Sequence, residues 1–174
     1  MTSKNIKPQI LDLSALLKGL NEAGVKFIVV GGMAAVIQGA PITTFDLDIV
    51  HRRTDENIKR LIEYLKSLDA YLRRPDDKLI RPDERDLNSE GHLLLTTCLG
   101  PLDVLGVIEK NLGFDDLLPN SVEIKFHGQK VYVLSLETIV DLKRESRDSK
   151  DLYRLPILEE TLHQLSKDNS ENKS

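Results

Sequence analysis

Residues 28–50 read IVVGGMAAVIQGAPITTFDLDIV, and this stretch carries the clearest structural pattern in the sequence. The β-branched run at its start predicts a short buried strand, which Gly31 and Gly32 end. The small apolar residues 33–38 predict a short helix packed on that strand. The first half of the stretch therefore predicts a strand, a glycine turn and a helix in succession.

The second half of the stretch predicts another strand, at residues 43–50. Its apolar and polar side chains alternate, with Phe45 on the apolar face and Asp46 and Asp48 on the polar face. Such alternation is typical of a strand that buries one face in the core and leaves the other exposed.

The rest of the chain adds helices and hairpins. The predicted helices span residues 8–23, 54–68, 135–145 and 149–165, and the predicted hairpins join 92–98 to 102–107 and 122–126 to 130–134.

The order of these elements predicts an α+β fold, in which a mixed β-sheet is flanked by helices and followed by a helical C-terminal part. We expect an α/β core at residues 1–134, helices packed on the core at 135–165 and a disordered tail at 166–174. Residues 73–91, dense in both charges, predict a surface excursion with at most a short strand at 78–81. This excursion is either a solvated loop or a substrate-binding lid.

Composition excludes several classes of protein. The chain has 174 residues, of which 40% are hydrophobic, so it can bury a core and is not a disordered chain. Cys98 is the single cysteine and cannot form an internal disulfide. No apolar run approaches the roughly 20 residues that span a bilayer, so we expect a cytoplasmic protein that does not engage a membrane. The net charge of −4 disfavours a broad electrostatic grip on nucleic acid.

Asp46 and Asp48 are the first candidates for chemistry. On one face of a strand their Cα atoms lie roughly 6.5–7 Å apart, and like charges so placed repel each other unless something offsets them. A divalent cation would offset them, because hard cations prefer carboxylate oxygen. The alternative is the solvated face of an edge strand.

Asp103 is the second candidate, because it lies in an apolar run, residues 102–105, where an isolated carboxylate is costly to bury. If its strand neighbours that of Asp48, three carboxylates converge. Such a cluster can hold Mg²⁺ or Mn²⁺ and leave positions for substrate phosphates. The alternative is a hairpin-turn aspartate that makes local backbone hydrogen bonds.

Gly31 and Gly32 are the third element. A strand that runs into a glycine pair and then a helix exposes backbone N–H groups to an anion at close range. The spacing matches neither the dinucleotide-binding fingerprint nor a Walker loop. The alternative is a simple turn.

Together these residues resemble the nucleotidyltransferase superfamily of the DNA polymerase β type. More narrowly, the chain is similar to stand-alone bacterial and archaeal members grouped with AbiEii-type toxins. The resemblance extends from about residue 10 to 165, and it rests on residues 28–32 (IVVGG), 44–49 (TFDLDI), Asp103, 134–143 (LSLETIVDLK) and 147–152 (RDSKDL).

The resemblance implies an enzyme that moves a nucleoside monophosphate from an NTP to a hydroxyl group, with Mg²⁺ or Mn²⁺ as its cofactor. The acceptor would be tRNA, a protein or a small molecule. Asp46, Asp48 and Asp103 would bind the metal, and Asp103 would also help to activate the attacking hydroxyl group.

The resemblance also implies nucleotide-binding residues. Gly31 and Gly32 would hold the triphosphate through backbone contacts. Lys143 and Arg147, one helical turn apart, either reach the phosphates or belong to a solvated basic helix face.

Two positions depart from the resemblance. Related sequences often carry a histidine where Gln38 stands and an arginine where Ile42 stands. If that arginine contributes to substrate binding, Ile42 removes it. This departure supports a second hypothesis, a catalytically inactive binding or regulatory module that forms half of a toxin–antitoxin pair with a cognate antitoxin as its partner.

Overall fold

Seven strands form one sheet in the computed structural model, which describes residues 10–76 and 78–173. The strands are β1 (Phe27–Val30), β2 (Leu47–His51), β3 (Tyr71–Leu72), β4 (His92–Thr97), β5 (Gly100–Leu105), β6 (Ser121–Phe126) and β7 (Gln129–Leu134). Their order across the sheet is β3-β4-β5-β2-β1-β7-β6.

The antiparallel pair β1–β2 lies in the middle of the sheet, and each strand of this pair has one parallel neighbour. β5 lies beside β2, and β7 lies beside β1. Each parallel neighbour belongs to a hairpin, in which β4 is antiparallel to β5 and β6 is antiparallel to β7. The mixed sheet and both hairpins predicted from the sequence are confirmed.

Several of the helices begin after a residue whose side chain caps the first turn. They are α1 (Leu13–Glu22), α2 (Gly31–Ile37), α3 (Asp55–Ser67), α4 (Glu84–Asn88), α5 (Phe114–Leu117), α6 (Leu136–Arg144) and α7 (Ser149–Glu171). The side chains of Asp12, Thr54 and Ser135 accept hydrogen bonds from backbone N–H groups in the first turns of α1, α3 and α6. These bonds satisfy donors that the helix itself leaves unpaired.

The core lies between the sheet and the helices. All four residues of β1 are buried, as are Leu16 and Leu20 of α1 and Leu61 of α3. Full burial of a leucine side chain stabilises a protein by about 2 kcal/mol. The core therefore fixes the position of the end of β1 and the start of β2, where the candidate site residues lie.

The second strand is shorter than predicted. β2 begins at Leu47 instead of residue 43, and Phe45, expected on the buried face, is 77% exposed. Pairing with β1 ends where Asp48 lies opposite Val30, because the chain turns into α2 directly after Val30. Asp46 therefore precedes the strand, whereas Asp48 lies within it.

The excursion at 73–91 contains a short helix that the sequence did not predict. Residues 78–81 form no strand, although the carbonyl oxygen of Ile80 accepts one hydrogen bond, of 2.7 Å, from the N–H of Leu72. The short helix α4 follows, with Asp83 and Asp86 in a capping box. Two such carboxylates at a helix start form a signal that the charge density of this segment concealed.

The C-terminal tail is helical over most of its length. α7 passes through Pro156 and continues to Glu171, so residues 166–171 are not the disordered tail predicted from the sequence. This stretch contains neither glycine nor proline, the two residues that most often end a helix.

Three parts of the predictions fall outside the described residues, namely residues 1–9 of the core, Asp77 of the excursion and Ser174 of the tail. The division into a core at 1–134 and helices at 135–165 stays a prediction. Among the residues described, no helix is both long enough and apolar enough to cross a membrane.

Candidate active site

The carboxylates of Asp46, Asp48 and Asp103 come together on one face of the sheet. β2 and β5 are parallel neighbours with Asp48 in register with Asp103, so these two side chains leave the same face. Asp46 lies just before β2, and one carboxylate oxygen of each residue lies within 4.8 Å of those of the other two. The predicted pairing of the strand at Asp46 and Asp48 with the strand of Asp103 is confirmed.

Burial and mutual repulsion raise the pKa of two of these carboxyls. Burial is the largest cause for Asp48, followed by the negative charges of Asp46 and Asp103, and together they raise its pKa to about 8. Asp103 is only 6% exposed, and burial is also the largest cause that raises its pKa to about 6. A divalent cation would relieve the repulsion, and a set of carboxylate oxygens is the donor set that Mg²⁺ and Mn²⁺ prefer.

Arg73 contacts the third carboxylate. Its Nη2 donates hydrogen bonds to Oδ1 of Asp103 at 3.1 Å and to the carbonyl oxygen of Leu95 at 3.0 Å. The guanidinium lowers the pKa of Asp103 and so opposes the effect of burial. The first residue of the excursion at 73–91 is therefore part of the surroundings of the acidic cluster.

The glycine pair lies against the same cluster. Gly31 has a φ of +67°, and a Cβ atom at this position would overlap the carboxylate of Asp48. A Cβ atom on Gly32 would lie 3.1 Å from Oγ1 of Thr44 and 3.3 Å from Nη1 of Arg154. The pair thus allows a carboxylate and a guanidinium to approach the backbone closely.

Lys143 and Arg147 have different surroundings. Lys143 forms ion pairs with Glu109 at 2.9 Å and Asp151 at 3.3 Å. Burial lowers the pKa of Lys143, but the hydrogen bonds and charges of these two partners outweigh burial and raise it overall. Arg147 follows the end of α6 at Arg144, so it is not one helical turn from Lys143, and it is exposed. The structure brings Lys143, and not Arg147, to the carboxylates.

Two cavities meet at Asp48. The first, of about 460 Å³, is lined mainly by apolar side chains such as Leu105, and we call it the apolar cavity. The second, of about 170 Å³, is bordered by Lys150 and Arg154 of α7, and we call it the cationic cavity. Lys143 borders both. The carboxylate of Asp48 is therefore accessible from an apolar side and from a positively charged side.

Four residues near the site are not predicted from the sequence, namely Arg73, Lys150, Asp151 and Arg154. Lys150 and Arg154 are spaced by one helical turn, which was an available signal for a cationic face on α7. Arg73 offers no such signal, because its contact with Asp103 depends on how the chain passes the edge of the sheet.

Gln38 has a structural role. Its Nε2 donates hydrogen bonds of 2.9 Å to the carbonyl oxygens of Ala34 and Leu134, and its Oε1 accepts one of 3.0 Å from the N–H of Leu136. These bonds join α2 to the end of β7 and the start of α6. Ile42, the other departure from the resemblance, lines the cationic cavity.

Known proteins resemble this chain in structure. A scan against protein-family models and a search of curated proteins both find no match. The lincosamide antibiotic adenylyltransferase LnuA, in its lincomycin-bound crystal structure, aligns with a TM-score of 0.56 at 12% identity, over 87% of this chain and 98% of that chain. ANT(2")-Ia in complex with adenylyl-2"-tobramycin aligns with a TM-score of 0.55 at 15% identity, over 86% of this chain and 87% of that chain. The chain therefore has the nucleotidyltransferase fold that the sequence predicts.

Proposed function

We propose that the chain is a metal-dependent nucleotidyltransferase that moves a nucleoside monophosphate from an NTP to a hydroxyl group of an acceptor. The observation that carries this proposal is the convergence of Asp46, Asp48 and Asp103 within 4.8 Å at the meeting point of two cavities. These three carboxylates would hold Mg²⁺ or Mn²⁺, which when bound would neutralise phosphate charge and polarise the α-phosphorus.

The transfer forms a bond between the acceptor oxygen and the α-phosphorus. The bond from the α-phosphorus to its bridging oxygen breaks, and pyrophosphate leaves with that electron pair. Asp103, with a pKa of about 6, is mostly ionised at neutral pH and accepts the proton of the hydroxyl group. Arg73 holds Oδ1 of Asp103 and so orients this carboxylate.

Three of the remaining predicted residues, Gly31, Gly32 and Lys143, bind the nucleotide in this proposal. Gly31 and Gly32 present the backbone to the triphosphate without a side chain between them. Lys143 lies beside Asp48, where its ammonium group faces the phosphates. Arg147, exposed and outside both cavities, is left with the role of a solvated residue.

Among the three classes of acceptor, we favour a small molecule over tRNA or a protein. The apolar cavity of about 460 Å³ has the size and lining of a small-molecule site. The net charge of −4 offers little attraction for RNA. The structural neighbours support this choice by analogy, since one contains lincomycin and the other adenylyl-2"-tobramycin.

We also propose the finer placement among AbiEii-type members, with a cognate antitoxin as partner. Residues 134–143 and 147–152 carry that resemblance, and they include Lys143 and Asp151, which form an ion pair at the cavities. Expression in a bacterial host should arrest growth, and Asp48→Asn should abolish the arrest. Unaffected growth would contradict the toxin assignment and leave the transferase proposal intact.

The test of the transferase proposal is incubation with each labelled NTP, Mg²⁺ and a cell extract. We expect the label of an α-³²P-NTP to pass to an acceptor and the label of a γ-³²P-NTP to pass to pyrophosphate. Asp48→Asn should abolish both transfers. An inactive binding module would bind the NTP and transfer neither label.

A further inference from the structure

Arg154 has a fixed position in the cationic cavity. Its Nη2 donates a hydrogen bond of 2.8 Å to the carbonyl oxygen of Thr43, and its Nη1 lies 3.3 Å from where a Cβ atom of Gly32 would be. A guanidinium has five N–H donors, and this bond uses one of them. The carbonyl of Thr43 thus anchors one edge of the guanidinium and leaves donors for a ligand.

The guanidinium of Arg154 has no carboxylate at ion-pair distance in the part of the chain that the structure describes. Within residues 10–76 and 78–173, neither Arg154 nor its neighbour Lys150 forms an ion pair. Asp151, one turn before Arg154, pairs with Lys143 instead. Arg144 on α6, by contrast, is paired twice, with Asp141 and with Glu159. The cationic cavity therefore has two positive charges that lack an anionic partner.

We propose that Arg154 binds the terminal phosphates of the NTP and makes the site select triphosphates over monophosphates. This inference rests on the proposed function, because it assumes that the α-phosphate lies at Asp48, on the border of the same cavity. A guanidinium can bind two phosphate oxygens at once through its planar fork. Lys150, one helical turn earlier, adds a second charge on the same side.

A substitution at position 42 can test whether Arg154 acts through its positive charge or only by anchoring Thr43. Ile42 lines the same cavity, and it precedes Thr43, whose carbonyl oxygen anchors Arg154. An arginine at position 42 would therefore present a guanidinium to the same cavity. If the phosphates need only a positive charge in the cavity, Ile42→Arg should restore the binding that Arg154→Ala removes.

The experiment measures the affinity for inorganic tripolyphosphate, for each NTP and for each nucleoside monophosphate, all in Mg²⁺. The variants are Arg154→Ala, the double change Ile42→Arg with Arg154→Ala, and the control Arg144→Ala, which removes a paired arginine outside the cavity. For Arg154→Ala we expect the affinity for tripolyphosphate and NTP to fall at least tenfold and that for monophosphates to change less than twofold. The double variant should recover most of the loss, and Arg144→Ala should bind as the wild type does.

Three outcomes would overturn the inference. They are unchanged NTP affinity in Arg154→Ala, equal loss of NTP and monophosphate affinity, and a loss that Ile42→Arg does not restore, which would assign Arg154 to anchoring the loop at Thr43. Failure of the proposed function gives a different result, because the wild type itself would then transfer no label from an NTP, whether or not it binds one. The tripolyphosphate measurement would still report whether Arg154 binds a polyphosphate.

Discussion

Two hairpins flank the central β1–β2 pair in the same way, yet only one of them brings a carboxylate to the site. β5 and β7 each lie parallel to a central strand and antiparallel to their own hairpin partner. On the β5 side, Asp103 lies beside Asp48, whereas on the β7 side the buried Val133 lies beside Val29. Because Val29 is paired with Ile49 and not with Asp48, Val133 lies on the opposite face of the sheet from Asp103. The two hairpins thus share one topology, but one contributes a carboxylate to the candidate site and the other contributes a side chain to the core.

The largest effect should come from the β5 side of this comparison. Asp48→Asn should lower nucleotidyl transfer at least a thousandfold, about 4 kcal/mol of transition-state stabilisation, because a neutral amide does not support a divalent cation. Thermal melting in EDTA at pH 8 should show an equal or higher Tm for this variant, because it removes a buried repulsive carboxyl. A variant that has a lower Tm and still transfers the nucleotide would contradict the assignment of Asp48 to the metal-binding site.

The same carboxyls predict how stability depends on pH. Folding raises the pKa of Asp48 from its ordinary value of 3.8 to about 8, and it raises the pKa of Asp103 from the same value to about 6. Between about pH 4 and pH 8 the folded chain therefore binds more protons than the unfolded chain. The contribution of these groups to the free energy of unfolding therefore falls as pH rises from about 4 to about 8. Denaturant unfolding in EDTA at several pH values measures the free energy of unfolding of the wild type and of Asp48→Asn. The difference in pH dependence between the two proteins should become smaller when Mg²⁺ is added. A difference that does not depend on pH would contradict the assigned shift.

On the β7 side, Val133→Ala should affect stability and leave the chemistry unchanged. Removal of two buried methyl groups should lower the free energy of unfolding by about 2 kcal/mol. Transfer per folded molecule should stay within twofold of the wild type. A loss of transfer activity with unchanged stability would contradict a purely structural role for Val133.

The smallest effect is expected for the residue that supports Asp103. Arg73→Gln should lower the rate of transfer about tenfold at saturating NTP and leave the KM for the NTP within twofold, because Arg73 orients Asp103 and does not touch the nucleotide. Arg73→Lys should recover part of the rate. A change confined to KM would instead place Arg73 among the nucleotide-binding residues.

Local patterns in the sequence predict one side of the site better than the other. The strand that ends at Val30 and the acids at 48 and 103 are marked by their own apolar surroundings, so their positions follow from periodicity and from the cost of burying a carboxylate. The start of β2 does not follow, because it depends on pairing with a distant segment. Pairing with β1 ends at Asp48, and Leu47 pairs only with Leu102 of β5.

The α7 side of the site depends on contacts between distant segments. Arg154 reaches Thr43, and Asp151 pairs with Lys143 across two helices. No pattern within α7 separates these residues from a solvated charged face, because helical spacing alone does not tell which charges have partners. Arg147 illustrates the opposite case. Its spacing from Lys143 predicted that both residues lie on one helix, but α6 ends at Arg144 and Arg147 is exposed.

In the proposed function, Asp46, Asp48 and Asp103 bind the nucleotide through a divalent cation. Titration calorimetry of the wild type with NTP, first in Mg²⁺ and then in EDTA, tests this claim most directly, with Asp103→Asn as the matched variant. We predict that the wild type binds the NTP at least tenfold more tightly in Mg²⁺ and that the variant loses most of this difference. An affinity in the wild type that EDTA leaves unchanged would contradict the claim.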